Sequence, residues 1–375
     1  MKLKTKFFDT SYKYLLKPLL FSFDPETVHD GFAKFSYFSG THTWTKNLTK
    51  QAFNYLSPSL QQNLLGINFT NPIGLSAGFD YDGWFAGLMS EVGFGFHTVG
   101  TVTAKYYEGN TKPRLMRMPS SQALLVNKGF KSGGIDEVLV RLDKFRYDSS
   151  DVTGISIGST NIPQIDTIPK AINDYITTFR KVKELDYVKY LELNISCPNI
   201  TMKGKFTDEK NLKMLLDEIN QLKIKKPIFL KMPAEMPILD SLKLSELAIK
   251  QGIKGLIFSN LIKNRDNPQI TNIDRKKIAG FSGNISGKPV FAPSNTLIKS
   301  AYKHFGKAVI IVGCGGVFDG NDAFSKISSG ASLVQLITGM IYGGPATIGK
   351  INQELSAILK QKGFKNVSEA VGSNV

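Results

Sequence analysis

The stretch AVIIVGCGGVFDGNDAFSKISSGASLVQLITG, residues 308–339, decides the fold. It opens on an apolar run, Ala308–Val312, and closes on another, Leu333–Ile337, with a helix-length segment between. Both runs are nearly continuous in hydrophobicity, as a parallel strand buried on both faces must be. Both end in small residues: Gly313-Cys314-Gly315-Gly316 after the first, Thr338-Gly339 after the second. Six similar runs precede them, at Ile73–Ala77, Phe96–Val99, Gly154–Ile157, Tyr190–Ile195, Pro227–Met232 and Leu256–Ser259. Eight strand-and-helix units over roughly 300 residues predict an α/β fold, a (β/α)8 TIM barrel with an N-terminal helical extension. A doubly wound sheet is the structural alternative. The longest stretches without a regular pattern, 103–131, 197–207 and 261–291, follow runs two, four and six. In a barrel all three open on the C-terminal face, where such folds carry their chemistry.

The run ends are lined by small, amide and hydroxyl residues with one lysine. They are Ala77-Gly78, Gly100-Thr101, Gly158-Ser159, the segment from Asn194 to Asn199, Lys231 and Ser259-Asn260. Glycines after the last two runs let backbone N–H groups approach an anion, where barrels commonly hold a phosphate. A lone GxGG turn is weak evidence, because glycine turns are common. A second glycine turn within an eightfold pattern strengthens it. The four histidines, His29, His42, His97 and His304, are dispersed, with no HExxH and no CxxC pair, so no metal site is expected. No Walker-A loop is present. A phosphate-anchored cofactor in an amide-rich pocket is the chemistry that remains.

The 375 residues carry 47 Lys+Arg against 31 Asp+Glu, a net charge of +16. Only seven of the 47 are Arg, the residue best suited to base edges and bidentate phosphate contacts, so a nucleic-acid partner is not expected. With two cysteines, Cys197 and Cys314, a disulfide scaffold is excluded and reducing conditions fit. Residues 1–23 hold five Lys and one Asp, a local +4, and lack the cleavage site of a signal peptide. Tyr12, Leu15, Leu16, Leu19 and Leu20 follow helical periodicity, which Pro18 kinks or cuts short. Asp24-Pro25 starts a second helix, with Val28, Phe32, Phe35 and Phe38 along one stripe. Such helices either lie on a membrane surface or pack on the main domain as a cap, and periodicity does not choose between them.

NPIGLSAGFDYDG at 71–83, GFGFHTVGTVT at 93–103, GNTKPRLMRMP at 109–119, ELNISCPN at 192–199 and GASLVQLITGMIYGGP at 330–345 resemble the dihydroorotate dehydrogenases, FMN-dependent TIM barrels. FDPETVHDGF at 23–32, with the residues before it, resembles the membrane-associated, quinone-reducing class. The resemblance implies oxidation of (S)-dihydroorotate to orotate in pyrimidine synthesis, with quinone as acceptor. It implies a region 1–60 that forms a quinone tunnel and meets an anionic membrane surface, and an FMN-binding barrel over 61–375. For a bacterial chain the place would be the cytoplasmic face of the inner membrane, and the state a monomer. Ala77, Gly78, Thr101, Asn194, Lys231 and Ser259 match flavin-contacting positions. Gly287, Gly315, Gly316, Thr338 and Gly339 match the phosphate cradle. Asn194, Asn199 and Asn260 match substrate amides, and His29 and Arg117 match quinone-site positions. Cys197 stands at the position of the catalytic base, which takes the C5 proton of dihydroorotate while hydride leaves C6.

Several positions depart from the pattern. Cys197 is the mark of the soluble class, whereas the quinone-reducing class usually has Ser. Tyr81 stands where the family has a lysine that binds the substrate carboxylate, and Val126 where it has an asparagine. Leu261 replaces a threonine, Ser156 a flavin-site asparagine, and Ile337 a tyrosine beside the flavin phosphate. Losing a charge-assisted hydrogen bond to a carboxylate costs about 1.5–3 kcal/mol. Lys128 and Lys131 lie close enough in sequence to supply a replacement cation. The alternatives are a paralogue acting on another small cyclic amide and a non-catalytic flavin-binding barrel.

Overall fold

The computed structural model describes residues 3–148, 150–196 and 204–375, with side chains from residue 7 onward. Among these, eight parallel strands close into a barrel in chain order. They are β1 (Ile73–Leu75), β2 (Phe96–Val102), β3 (Thr153–Ile157), β4 (Val188–Asn194), β5 (Ile228–Met232), β6 (Gly255–Phe258), β7 (Ile310–Cys314) and β8 (Leu333–Leu336). Val334 of β8 lies opposite Ile73 of β1, so the ring is complete and no sheet edge is left open. That closure excludes the doubly wound alternative. Each apolar run contains a strand, with ends shifted by a few residues; β7 runs on into the glycine turn.

The interior is layered. Near the bottom, glycines face aromatic rings. A Cβ on Gly74 would lie 2.3 Å from the Phe96 ring, one on Gly154 2.2 Å from Tyr190, and one on Gly255 2.6 Å from Phe229. These rings fill the axis, and the hairpin Gln62–Leu64/Ile67–Phe69 closes it with Phe69 edge-on to Phe96 at 5.5 Å. Above them lies a polar layer, where Thr98 Oγ1 and Gln335 Nε2 each donate to Glu192 Oε1 at 2.7 Å. Those bonds offset the cost of burying the carboxylate. Outside, the helix Ile168–Val182 buries Ala171, Ile172, Tyr175, Phe179 and Val182, the three-and-four spacing of one face.

Two stretches read as irregular contain strands, which corrects that reading of 103–131 and 261–291. Leu115–Met118 and Ala123–Val126 form an antiparallel pair, and Asn284–Gly287 adds to the free side of Ala123–Val126. Each strand has only four residues. That is too short for an alternation to stand out, and the third strand comes from far along the chain. Tyr342 Oη donates to Ala123 O at 2.8 Å and so ties this sheet to the segment after β8.

The leading residues form α1 (Leu3–Ser11), a π turn (Tyr12–Leu16), α2 (Lys17–Phe21), α3 (Pro25–Thr41) and α4 (Thr43–Phe53). Pro18 lies just past the π turn in a helix that runs on from α1; with no N–H it cannot continue the ladder there, and α2 ends at Phe21. Asp24 caps α3 as its sequence predicts, accepting from Thr27 N at 2.9 Å. The aromatic stripe of α3 does not pack on the barrel: Phe32, Phe35 and Phe38 are 44%, 63% and 50% exposed. Ala33, Ser36, Ser39 and Gly40 are the buried residues of its later turns. Among the described residues no helix is long and apolar enough to cross a membrane.

Candidate functional site

One cleft opens at the C-terminal ends of the strands. Of the residues assigned to cofactor from sequence, Ala77, Lys231, Ser259, Gly287, Gly315, Gly316, Thr338 and Gly339 line it, as does Asn260 from the substrate set. Lys231, at the end of β5, is 3% exposed, and its Nζ donates to Ser76 Oγ at 3.0 Å. Among the described residues that is the hydrogen bond its ammonium makes, and no carboxylate pairs with it. The remaining N–H donors of this buried cation are available to an electron-rich ligand in the cleft.

The opposite wall is a cradle that side chains would fill. Gly287 has φ +95°, and a Cβ there would lie 2.3 Å from Gln122 O. Gly315 has φ +99°, with Val290 Cγ1 at 2.6 Å from its Cβ position. A Cβ on Gly339 would meet Val317 O at 2.0 Å. Only glycine supplies this backbone path, and bare backbone N–H groups with the Ser286 and Thr338 hydroxyls, 2.9 Å apart, suit phosphate oxygens. A phosphate-anchored flavin therefore fits the residues present, since a buried cation and a glycine and hydroxyl cradle line the same cleft.

Gly78, Thr101 and Asn194 do not line this cleft; they join it to a neighbouring polar arc. Asn260 Nδ2 donates to Ser196 Oγ, and Ser196 Oγ donates to Asn194 Oδ1 at 2.6 Å. Asn194 Nδ2 donates to Thr101 Oγ1 at 2.9 Å, and Thr101 Oγ1 lies 3.1 Å from Ser156 Oγ. Gly78 N donates to Gly100 O at 2.7 Å, which locks the end of β1 onto β2. The arc thus spans the ends of β6, β4, β2 and β3 with amides whose orientation is fixed. Ser156, shorter than an asparagine, is absorbed into it. Cys197 and Asn199 lie outside the described residues.

Sequence reasoning missed Ser76, Ser196, Ser286 and Cys314. Ser196 stands within the ELNISCPN motif and was available to it. Ser76 was hidden because its part depends on Lys231, 155 residues away. Of the departures, Leu261 and Ile337 line the cleft, and both make it more apolar. Val126 is paired within the small sheet, opposite Leu115 and Asn284. Tyr81 is 6% exposed and does not line this cleft; its Oη donates to Asp30 Oδ1 of α3 at 2.9 Å.

The two residues matched to a quinone site both lie where the N-terminal helices meet the barrel. His29 Nε2 is 2.7 Å from Phe79 O, and its ring stacks on Tyr81 at 5.0 Å. Nδ1 faces Asp30 Oδ1 at 3.3 Å, so both ring nitrogens look onto acceptor oxygens. That His29 contact and the Tyr81 hydroxyl hold the Asp30 carboxyl well below the usual carboxylate range. Arg117 Nη1 donates to Phe23 O at 2.7 Å, and its guanidinium carbon lies 4.5 Å from the Phe21 ring centroid.

Comparison with known proteins agrees with this geometry. The sequence profile described as Dihydroorotate dehydrogenase matches residues 59–359. A dihydroorotate dehydrogenase (quinone) of Nostoc punctiforme is 34% identical over 97% of this chain and 98% of its own length. One from Janthinobacterium sp. is also 34% identical, over 92% of this chain and 98% of its own. The crystal structure of a DHODH from Eimeria tenella in complex with ferulenol superposes with a TM-score of 0.78 at 27% identity, covering 94% of this chain and 96% of that one. The chain belongs to the dihydroorotate dehydrogenase family.

Proposed function

We propose that this chain oxidises (S)-dihydroorotate to orotate in pyrimidine (UMP) synthesis and passes the electrons to a quinone. One observation carries the reading: the buried Lys231, the glycine cradle and the amide arc share one barrel mouth, and the helices bearing His29 dock beside it. Bound FMN would accept hydride from the substrate and hand two electrons to quinone. Lys231 favours negative charge at the end of the cleft it faces. Gly287, Gly315, Gly316, Thr338 and Gly339 bind the phosphate. Asn194, Asn260 and Asn199 orient a ring of amide and carbonyl groups, so a single face meets the cofactor. Cys197 takes the C5 proton; a thiol with an unperturbed pKa near 8.5 is a far better base than a serine hydroxyl. Residues 1–60 serve as the membrane-facing, quinone-admitting region and 61–375 as the catalytic barrel, with the chain a monomer held peripherally at an anionic membrane. For a bacterial chain that is the cytoplasmic face of the inner membrane.

The experiment is anaerobic mixing of flavin-loaded protein with dihydroorotate. Bleaching of the yellow colour is the expected outcome, and Cys197→Ala should abolish it with flavin still bound. A loaded sample that stays yellow would refute the substrate. It would leave the second reading, a paralogue oxidising another small cyclic amide, which the commitment of Tyr81 to Asp30 favours.

A further inference from the structure

Dihydroorotate carries a carboxylate, and no cation stands at position 81 to receive it. Two other ammonium groups converge on that position. Lys128 Nζ lies 4.5 Å and Lys131 Nζ 5.3 Å from the Tyr81 ring centroid. Both belong to the segment that leaves the strand Ala123–Val126. Between them Phe130 packs against the strand ends: a Cβ on Gly158 would lie 2.9 Å from its ring and 2.6 Å from Thr101 Cγ2. Thr101 is the residue to which the Asn194 amide donates, so the two lysines flank the side chain that abuts the amide arc. Ser132 N donates to Tyr107 O at 3.0 Å and Asn161 Nδ2 to Gly129 O at 3.2 Å, which pins the segment. Phe130 is held at φ +65°, a conformation a bulky residue seldom adopts and one that gathers at ligand-binding places.

The charge of these lysines is only partly offset: Lys128 shares Glu26 with Arg114, and Lys131 acts on Asp30 and Asp82 from beyond contact distance. An aromatic face attracts an ammonium but does not cancel its charge, unlike a carboxylate at contact distance. Lys128 Nζ is 3.8 Å from Glu26 Oε1, but both Glu26 oxygens already accept from Arg114 Nε at 2.9 Å. Lys131 has no carboxylate within ion-pair distance among the described residues. Burial lowers Lys128 to about 8, so it remains an ammonium at neutral pH, and a bound anion would reinforce that state.

We propose that Lys128 and Lys131 receive the carboxylate of the substrate, in place of a lysine at position 81, with Tyr81 as the platform that holds both ammonium groups. This assignment rests on the dihydroorotate reading of the site. It makes the pair specificity-determining residues for a carboxylate-bearing cyclic amide over its neutral analogue.

The test uses the full-length, flavin-loaded protein, with orotate and its neutral carboxamide as probes of binding. Lys131→Ala, Lys128→Met and the double variant are titrated with each, and flavin content and melting temperature are recorded. Each single change should weaken orotate about tenfold or more, leaving carboxamide affinity and flavin content unchanged. Adding Tyr81→Lys to the double variant should restore part of the orotate affinity. Unchanged orotate affinity, or equal losses for orotate and carboxamide, would overturn the assignment. If Lys128→Met melts early, Lys131→Ala, at a half-buried position, decides alone. A wild-type protein that neither binds orotate nor bleaches with dihydroorotate would instead sink the dihydroorotate reading, and the assignment with it.

Discussion

The barrel and the N-terminal helices are stabilised in opposite ways. In the barrel, all seven residues of β2 are buried, and apolar side chains fill the space on both sides of the sheet. In the helices, Phe7, Tyr14, Leu15, Leu19, Phe35 and Trp44 are all more than half exposed. What fastens this layer to the barrel is a narrow apolar seam, where Ala33 joins the core and Tyr37 packs on Trp84 and Phe145, together with a set of directional polar bonds. Tyr12 Oη donates to Ile341 O at 2.6 Å, Arg114 to Glu26, His29 to Phe79 O and Arg117 to Phe23 O. Hydrophobic burial is indifferent to direction, and it builds a rigid mouth. Polar anchors fix orientation and leave the apolar face of the layer turned outward. Exposed apolar side chains with lysines in the same segment are what the proposed docking on an anionic lipid surface would use.

The largest effect expected from breaking this division lies in the barrel. Gly287→Val places a branched side chain at φ +95° against Gln122 O, 2.3 Å from the Cβ position. It should yield a colourless protein with an unaltered far-UV spectrum and with membrane binding retained; normal flavin content would mean the cradle is misassigned. Next comes an anchor. Glu26→Ala leaves the buried Arg114 without its carboxylate, and removing one partner of such a pair costs about 3–5 kcal/mol. Denaturant unfolding should show that loss, with α3 and α4 losing hydrogen-exchange protection before the barrel. A uniform loss would make the layer part of the barrel's own cooperative unit.

A smaller effect is expected from pH. Lys128 is buried and lowered to about 8, facing Glu26 and Asp30 of α3 as well as Lys131 and Arg114. The ammonium binds an anion and the neutral amine does not, so the interaction is complete below that value and fades as pH rises through it. Orotate affinity should therefore fall between pH 7 and 9.5, and Lys128→Met should flatten the profile. The smallest effect is at the surface. Phe35→Ser removes an exposed ring, so unfolding free energy should change by less than about 0.5 kcal/mol while binding to anionic vesicles weakens.

What the sequence made legible was local. Asp24-Pro25 announces its helix because cap and proline are adjacent. The eight strands announce themselves because burial on both faces forces each run to be apolar throughout. The glycine turn after β7 was legible in residue identity, and Gly315 and Gly316 do take positive φ, whereas Gly287 came only with the family resemblance. What was hidden depends on residues that meet only in the fold. The small sheet joins Ala123–Val126 to Asn284–Gly287 with four barrel strands between them in the chain. Ser76 matters because Lys231 reaches it. Tyr81 looked like a lost lysine; the sequence offered Lys128 and Lys131 as replacements by nearness in the chain, and the fold sets both ammonium groups over the Tyr81 ring. The outward turn of Phe32, Phe35 and Phe38 was undecidable from periodicity, since a stripe looks the same whether it faces a barrel or a membrane.

The division of labour is tested most directly by following flavin colour through both half-reactions, in the full chain and in a chain lacking residues 1–40. Dihydroorotate is added first, without oxygen, and a quinone analogue in vesicles follows. The full chain should bleach and then recover its colour. The shortened chain should bleach at a similar rate and recover at least ~10-fold more slowly, the loss expected when docking no longer positions the acceptor. Recovery at the full rate without those helices, or loss of bleaching and recovery together, would contradict the separation of an oxidising barrel from a quinone-admitting layer.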